Sequence, residues 1–226
     1  MTNGRRTTTI VAAAAAAVVA CLVPAARAGS GGERIELNRA DQAAARAAIV
    51  RASDLRRAGW SGQAVTPDLR PAPTCRNYHP KLSDLVVTGA AESNFVRSDR
   101  RALDTKVKVL RTARMVRLGW RREVMAPGVV ACQRRLWGKS LGRSATVVSF
   151  TRTRLPGIAR YAAEFRGFAD VTVSKGKKVR LVVDGVRVSR GRSEISLVEL
   201  APATARAAVA AHVRRLARLM VSRLKV

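Results

Sequence analysis

Three cysteines, two histidines and fifteen carboxylates are the residues of this 226-residue chain that could act on a substrate or hold a metal. A zinc or nucleophile site needs such residues at short fixed spacings, as in H-E-x-x-H or C-x-x-C, so that one turn aims them at a common point. The chain has neither pattern, no G-x-S-x-G elbow and no phosphate-cradling G-x-x-x-x-G-K. His79 lies in a proline-rich stretch and His212 in the C-terminal segment, with no acidic or thiol cluster beside either. The carboxylates are scattered, so spacing alone supports no paired acid–base site. The chain is read as non-enzymatic, without metal or cofactor. A hydrolase with a non-sequential site is the remaining catalytic reading, and it requires a concave pocket holding a carboxylate or His79 with a shifted pKa.

Positive charge is the stronger signal. Lysine and arginine number 43 against 15 acidic residues, for a net charge of +28. The basic clusters are Arg97, Arg100 and Arg101; Arg121 and Arg122; Arg134 and Arg135; and Lys175, Lys177 and Lys178. Such an excess fits anionic surroundings, either lipid headgroups or an anionic envelope polymer, or else a solvated, arginine-favouring surface. Nucleic acid is not expected, because no aromatics interleave the basic runs to stack on bases.

Residues 1–28 have the three parts of an export signal: Arg5-Arg6, an apolar run from Ile10 to Val23, and the small-x-small site Ala26-Arg27-Ala28. A second reading is open, in which Val18-Val19-Ala20-Cys21 is a lipobox and Cys21 is lipidated. The leader holds only Arg5, Arg6 and Arg27, so nearly all the charge stays on the mature chain. Residues 29–37 read as a flexible, glycine-rich linker, followed by a single domain over 38–226. Outside the leader only Cys75 and Cys132 remain. In an oxidising compartment they make one disulfide, the alternative being two unpaired thiols.

The elements that must position these residues read as α+β. Asn38 is an N-cap for an alanine-rich helix to about Ala52, and Ser53-Asp54-Leu55 starts a short turn ending at Gly59-Trp60. Residues 61–81 read as a long loop pinned by Cys75. Leu85–Val96 is a strand with Gly89 as a bulge or close-contact point. In the next strand, Asp104–Leu110, Val107 and Val109 face one way and Lys106 and Lys108 the other. Arg97, Arg100 and Arg101 fall in the loop between. Residues 112–138 read as helical, interrupted at Pro127-Gly128, with Pro127 at the first position of a new helix. Strands follow at Ala145–Arg152 and Ile158–Phe168. The run from Lys178 to Leu200 alternates apolar and polar, with Asp184-Gly185 and Arg190-Gly191 each a possible hairpin turn, or the first a bulge. The last helix carries the stripe Val209, Val213, Leu216, Met220, spaced to seal one apolar sheet face. The fold expected is an antiparallel sheet packed with helices, an α/β sandwich.

The order of Ser53-Asp54-Leu55, Gly59-Trp60, Cys75, T-G-A-A-E-S-N-F at Thr88–Phe95, Cys132, V-D-G-V-R-V-S-R-G-R at Val183–Arg192 and a closing helix resembles actinobacterial exported proteins related to the PknH-like extracellular sensor domains and allied lipoproteins. The resemblance implies a sandwich with a ligand cleft, and by position Cys75 and Cys132 resemble one of that family's disulfides. The resulting expectation is an exported, secreted or envelope-associated binding domain for an anionic ligand, with a lipid-carrying lipoprotein as the alternative.

Overall fold

The computed structural model describes residues 32–55, 59–173 and 176–224. The leader readings at Cys21, Ala26 and Ala28, and Lys175, lie outside the described residues. Eight strands form one open sheet: β1 (Arg34–Ile35), β2 (Trp60–Val65), β3 (Val86–Arg97), β4 (Arg101–Leu110), β5 (Ala145–Arg154), β6 (Tyr161–Thr172), β7 (Lys178–Arg190) and β8 (Ser193–Pro202). Their order is β1-β3-β4-β8-β7-β6-β5, with β2 also on β3. All neighbours are antiparallel except β1 with β3. The helices are α1 (Arg39–Ala48), α2 (Ala52–Leu55), α3 (Ala113–Gly119), which runs into a π-helical turn at Trp120–Val124, α4 (Val129–Leu141) and α5 (Arg206–Arg223).

Period-two alternation assigns each strand residue a face. Leu103, Val107 and Val109 of β4, Ile195 and Leu197 of β8 and Val182, Val186 and Val188 of β7 turn toward α1 and α5. There Val209, Val213, Leu216 and Met220 are fully buried, so the helical stripe does seal the sheet. The opposite face is also covered, by α3, the π-helical turn, α4 and the proline-rich segment 66–80. Both faces of the sheet are therefore covered.

Several boundaries move. Residues 33–38 are not a free linker: Arg34 and Ile35 pair with Val86 and Val87, and the Asn38 N–H donates to the Thr88 carbonyl at 2.9 Å. Asn38 caps α1 as expected, its Oδ1 accepting from the Asp41 N–H at 2.9 Å, but α1 ends at Ala48, four residues early. Trp60–Val65 is a strand against β3, not loop. Pro127 precedes α4 rather than opening it, because Gly128, at φ 81°, is the N-cap. The β7–β8 turn falls at Gly191 (φ 56°), while Asp184 and Gly185 run through β7 in unbroken register with Glu199 and Val198, neither turn nor bulge.

Gly89 is both a bulge and a close approach. The β3–β4 register slips between Val87 and Gly89, and a Cβ there would stand 2.2 Å from the Asp41 carbonyl oxygen. Gln42 Oε1 accepts the Ala90 N–H at 2.7 Å, so α1 docks into the irregularity. On the far face, Cys75 and Cys132 are bonded, with Cα atoms 5.6 Å apart, tying segment 66–80 to α4.

Candidate functional site: a charged cleft between the sheet and α4

Strand register lines up the chemistry that sequence spacing kept apart. On the face toward α3 and α4, Glu92 of β3 stands opposite Lys106 of β4, then Ser196 of β8, then Arg187 of β7. The next row reads Asn94, Asp104, Val198, Gly185, and the row on the other side places Lys108 against Glu194 and Ser189. Residues directly opposite on neighbouring strands are about 5 Å apart. Three rows therefore gather carboxylates and cations that are up to a hundred residues distant in sequence. Glu123, from the π-helical turn, and Glu33 close over them.

Two adjoining cavities open here. The polar one, about 130 Å³, is lined by Asp68, Asp104, Lys106, Lys108, Glu123 and Arg187 among others. The other, about 110 Å³, leads to Trp137, Phe150, Phe165 and Val183. Ala72, Pro73, Glu123, Gln133, Arg187 and Val198 border both. Trp137 and Phe150 lie 6.0 Å apart, centroid to centroid. Gly167 makes room for them, since a Cβ there would meet both rings at 2.6 Å. Gly185, also without a side chain, floors the apolar end.

The cations are unequally matched. Lys106 Nζ sits 2.9 Å from Glu92 and donates to the Asp68 carbonyl at 2.7 Å. Lys108 Nζ is 2.6 Å from Glu33, 3.3 Å from Glu194 and 3.9 Å from Glu123. Burial pulls the Lys108 pKa down, but these three carboxylates outweigh it and hold it above the ordinary lysine value. One ammonium cannot stabilise three anions. Burial, with carboxylate repulsion adding, raises Glu123 and pushes Glu194 up to about 7. Burial and then the Glu92 charge push Asp104 up to about 7. Turned so that its nitrogen faces Asp104, the Asn94 amide lies 2.7 Å from Oδ2. Arg187 is different. It is half-buried at the junction of the two cavities, and among the described residues it makes no ion pair or side-chain hydrogen bond.

The basic clusters singled out in the sequence do not converge. Arg97 pairs with Asp99 at 3.3 Å, and Arg100 holds the β3–β4 turn at φ 68°. Arg101 is not in that loop: it lies in β4, buried against Glu199, so its charge is matched internally. Arg121 is exposed on the π-helical turn, whereas Arg122 bonds Asp84 and the Lys81 carbonyl. Arg134 donates to the Val147 carbonyl at 2.9 Å, and Arg135 borders a cavity beside the disulfide. Lys177 and Lys178 are exposed where β7 begins. His79 is exposed, its Nε2 3.1 Å from the Arg76 carbonyl, which removes it as a hydrolytic residue. Arg187, Asp104, Glu123, Glu194 and Lys108 were missed. For the four strand residues the signal was the alternation of charged with apolar residues in β4, β7 and β8, which reads as a wet face until a second layer is known to cover it; Glu123, on the π-helical turn, carried no such signal.

Among the described residues no group of His, Cys, Asp and Glu is arranged to hold a metal ion, and no helix is long and apolar enough to cross a membrane. No family model matches the sequence, and no curated protein is similar to it. Among solved structures, the chain is similar to the extracellular domain of PknH from Mycobacterium tuberculosis. The likeness has a TM-score of 0.44 and 11% identity, over 81% of this chain and 95% of that one. At that level, any reading of function rests on this chain's own residues.

Proposed function

We propose that the protein is an exported, non-enzymatic binding domain that takes a small anionic amphiphile into the cleft between the sheet and α4. The observation that carries this reading is Arg187, which makes no ion pair among the described residues and stands where a polar cavity meets an aromatic one. A carboxylate or phosphate accepts two parallel N–H bonds from such a group, and partial burial strengthens them. Gln133 and Ser196 are further polar neighbours, and Trp137, Phe150 and Phe165 supply the apolar wall. Cavities near 100 Å³ suit a headgroup and a short chain rather than a drug-sized ligand, whose pockets run from about 300 Å³.

The reading keeps an anionic envelope component as the ligand class but moves its contact from the surface arginines to the cleft. It also joins the lipid-carrying alternative to the leading one, because the same cleft offers a cation and an apolar end. Export through residues 1–28, with cleavage after Ala28 or lipidation of Cys21, belongs to this proposal, and intact mass of protein from its own host distinguishes the two forms.

Titration calorimetry with octanoate, acetate and octylamine tests the cleft. Octanoate is expected to bind most tightly, and Arg187→Gln to weaken it at least tenfold while leaving the melting temperature nearly unchanged. Equal affinity for octylamine, or indifference to the substitution, would overturn the reading. Hydrolysis has the raised carboxyls of the cleft in its favour. Recovery of native amphiphiles unchanged after prolonged incubation decides for binding.

A further inference from the structure

A second concave site lies beyond the outer row of the cleft, where α3, the segment before β6 and the β7–β8 turn meet. Its volume is about 380 Å³, larger than either cavity of the cleft. Three arginines border it, all with exposed side chains: Arg117 from α3, Arg160 just ahead of β6 and Arg190 at the end of β7. No carboxylate lines it. Among the described residues, none of the three makes an ion pair or a side-chain hydrogen bond, although Asp41, Asp54, Asp84, Asp170 and Glu36 all engage arginines elsewhere. Arg160 is held in place by its own neighbour, its guanidinium carbon lying 5.5 Å from the centre of the Tyr161 ring.

The wall adds neutral donors. Tyr161 and Ser189 are directly paired across β6 and β7, and both border the site. Ser189 is only 5% exposed, and among the described residues its hydroxyl makes no hydrogen bond, though it is not one of the fully buried unpartnered polar atoms. A serine hydroxyl both donates and accepts, so Ser189 can donate to an anion in the cavity that its residue borders. A multiply charged anion accepts from several guanidinium groups and a hydroxyl together, which one carboxylate cannot do.

We propose that this site binds a phosphate-type dianion, a phosphomonoester or pyrophosphate group, through Arg117, Arg160, Arg190 and the Ser189 hydroxyl. The group could belong to a soluble molecule or to a lipid headgroup. The site shares no lining residue with the two cavities of the cleft, although Ser189 stands opposite Glu194 in the cleft's outer row.

The test is calorimetry of the protein with inorganic pyrophosphate, beside flotation with phosphatidylcholine vesicles with and without phosphatidic acid. The Arg160→Gln/Arg190→Gln variant is expected to weaken pyrophosphate binding at least tenfold. Arg76→Gln/Arg135→Gln removes the same charge around the cavity beside the disulfide, and is expected to change it less than twofold. Equal losses in both double variants would mean attraction to the overall positive field, and would overturn the site. So would failure of the unaltered protein to bind either probe. Pyrophosphate binding without flotation assigns a soluble phosphate ester. Flotation on phosphatidic acid that pyrophosphate reverses assigns a headgroup.

Discussion

Arg101 and Glu199 meet diagonally across the β4–β8 ladder, Nε 2.6 Å from Oε1, with side chains 8% and 0% exposed. His212 of α5 reaches the other oxygen, Nδ1 2.6 Å from Oε2, and its ring stacks on Trp60 of β2 at 5.6 Å. The group thus links the last helix to three strands through one carboxylate. Removing one partner of a buried pair leaves the other charge uncompensated, at a cost of about 3–5 kcal/mol. Arg101→Ala is expected to lose that much in urea denaturation. The Arg101→Met/Glu199→Leu double variant is expected to lose less than the single one, since no charge is then stranded. A double variant weaker than Arg101→Ala would show that the pair itself, not the stranded charge, carries the stability.

The disulfide acts on the other side of the sheet. It closes a loop spanning 57 residues of sequence, worth about 4 kcal/mol in the chain-entropy account. It also anchors the segment that supplies Asp68, Pro71, Ala72 and Pro73 to the cleft wall. Replacing both cysteines by alanine is expected to lower stability by about that amount and to weaken octanoate binding. Loss of stability with unchanged affinity would detach the segment's position from the bond.

The architecture was legible where local chemistry and tertiary packing agree. Asn38 with Asp41, the stripe Val209–Met220 and Gly89 as a close contact all follow from spacing alone, and the structure has each of them. Trp60–Val65 was not legible: its sequence, W-S-G-Q-A-V, carries little strand propensity, and pairing with β3 decides it. Asp184 misled in the opposite way. Asp-Gly is a strong turn signal, but here Arg166 bonds the carboxylate beneath α5 at 2.6 Å and the strand continues. The cleft was hidden for a third reason. Its residues come from six strands, the π-helical turn, α4 and segment 66–80, and only the register brings Lys106, Ser196 and Arg187 into one row.

Gly89 makes the docking of α1 testable. Any Cβ at this position collides with backbone, the Asp41 carbonyl at 2.2 Å and the Gln42 nitrogen at 2.8 Å, so no rotamer change relieves it. Gly89→Ala is expected to displace α1 and release the Gln42–Ala90 bond, destabilising the protein by about 1–3 kcal/mol. Amide exchange reads the effect locally. The Ala90 N–H should lose protection far more than Val107 or Ile195, and uniform loss across the sheet would mean that α1 is not a separately docked element.

The buried carboxyls set a pH profile. Asp104, Glu194 and Asp184 titrate near 3.8, 4.5 and 3.8 when unperturbed, but burial above all raises each to about 7 in the fold. The folded protein therefore keeps protons that the unfolded chain gives up. Their stabilising contribution is complete below about pH 4, falls as pH rises through about 7, and is flat beyond. Opposing groups act on the acid side. Burial works to raise Asp54, but hydrogen bonds from Arg223 and the Arg51 N–H outweigh it; hydrogen bonding to Arg70 is the main cause that lowers Asp68. Their contribution is present above the ordinary aspartate value and lost as pH falls through the lowered one. Stability is thus expected to peak at about pH 4–5 and to decline toward neutrality. Asp104→Asn, an isostere of the protonated side chain, should leave stability at about pH 4.5 unchanged and flatten part of the decline. A decline of the same steepness in the variant would show that Asp104 is already ionised in the folded protein throughout that range, with Lys106 and Arg187 balancing it.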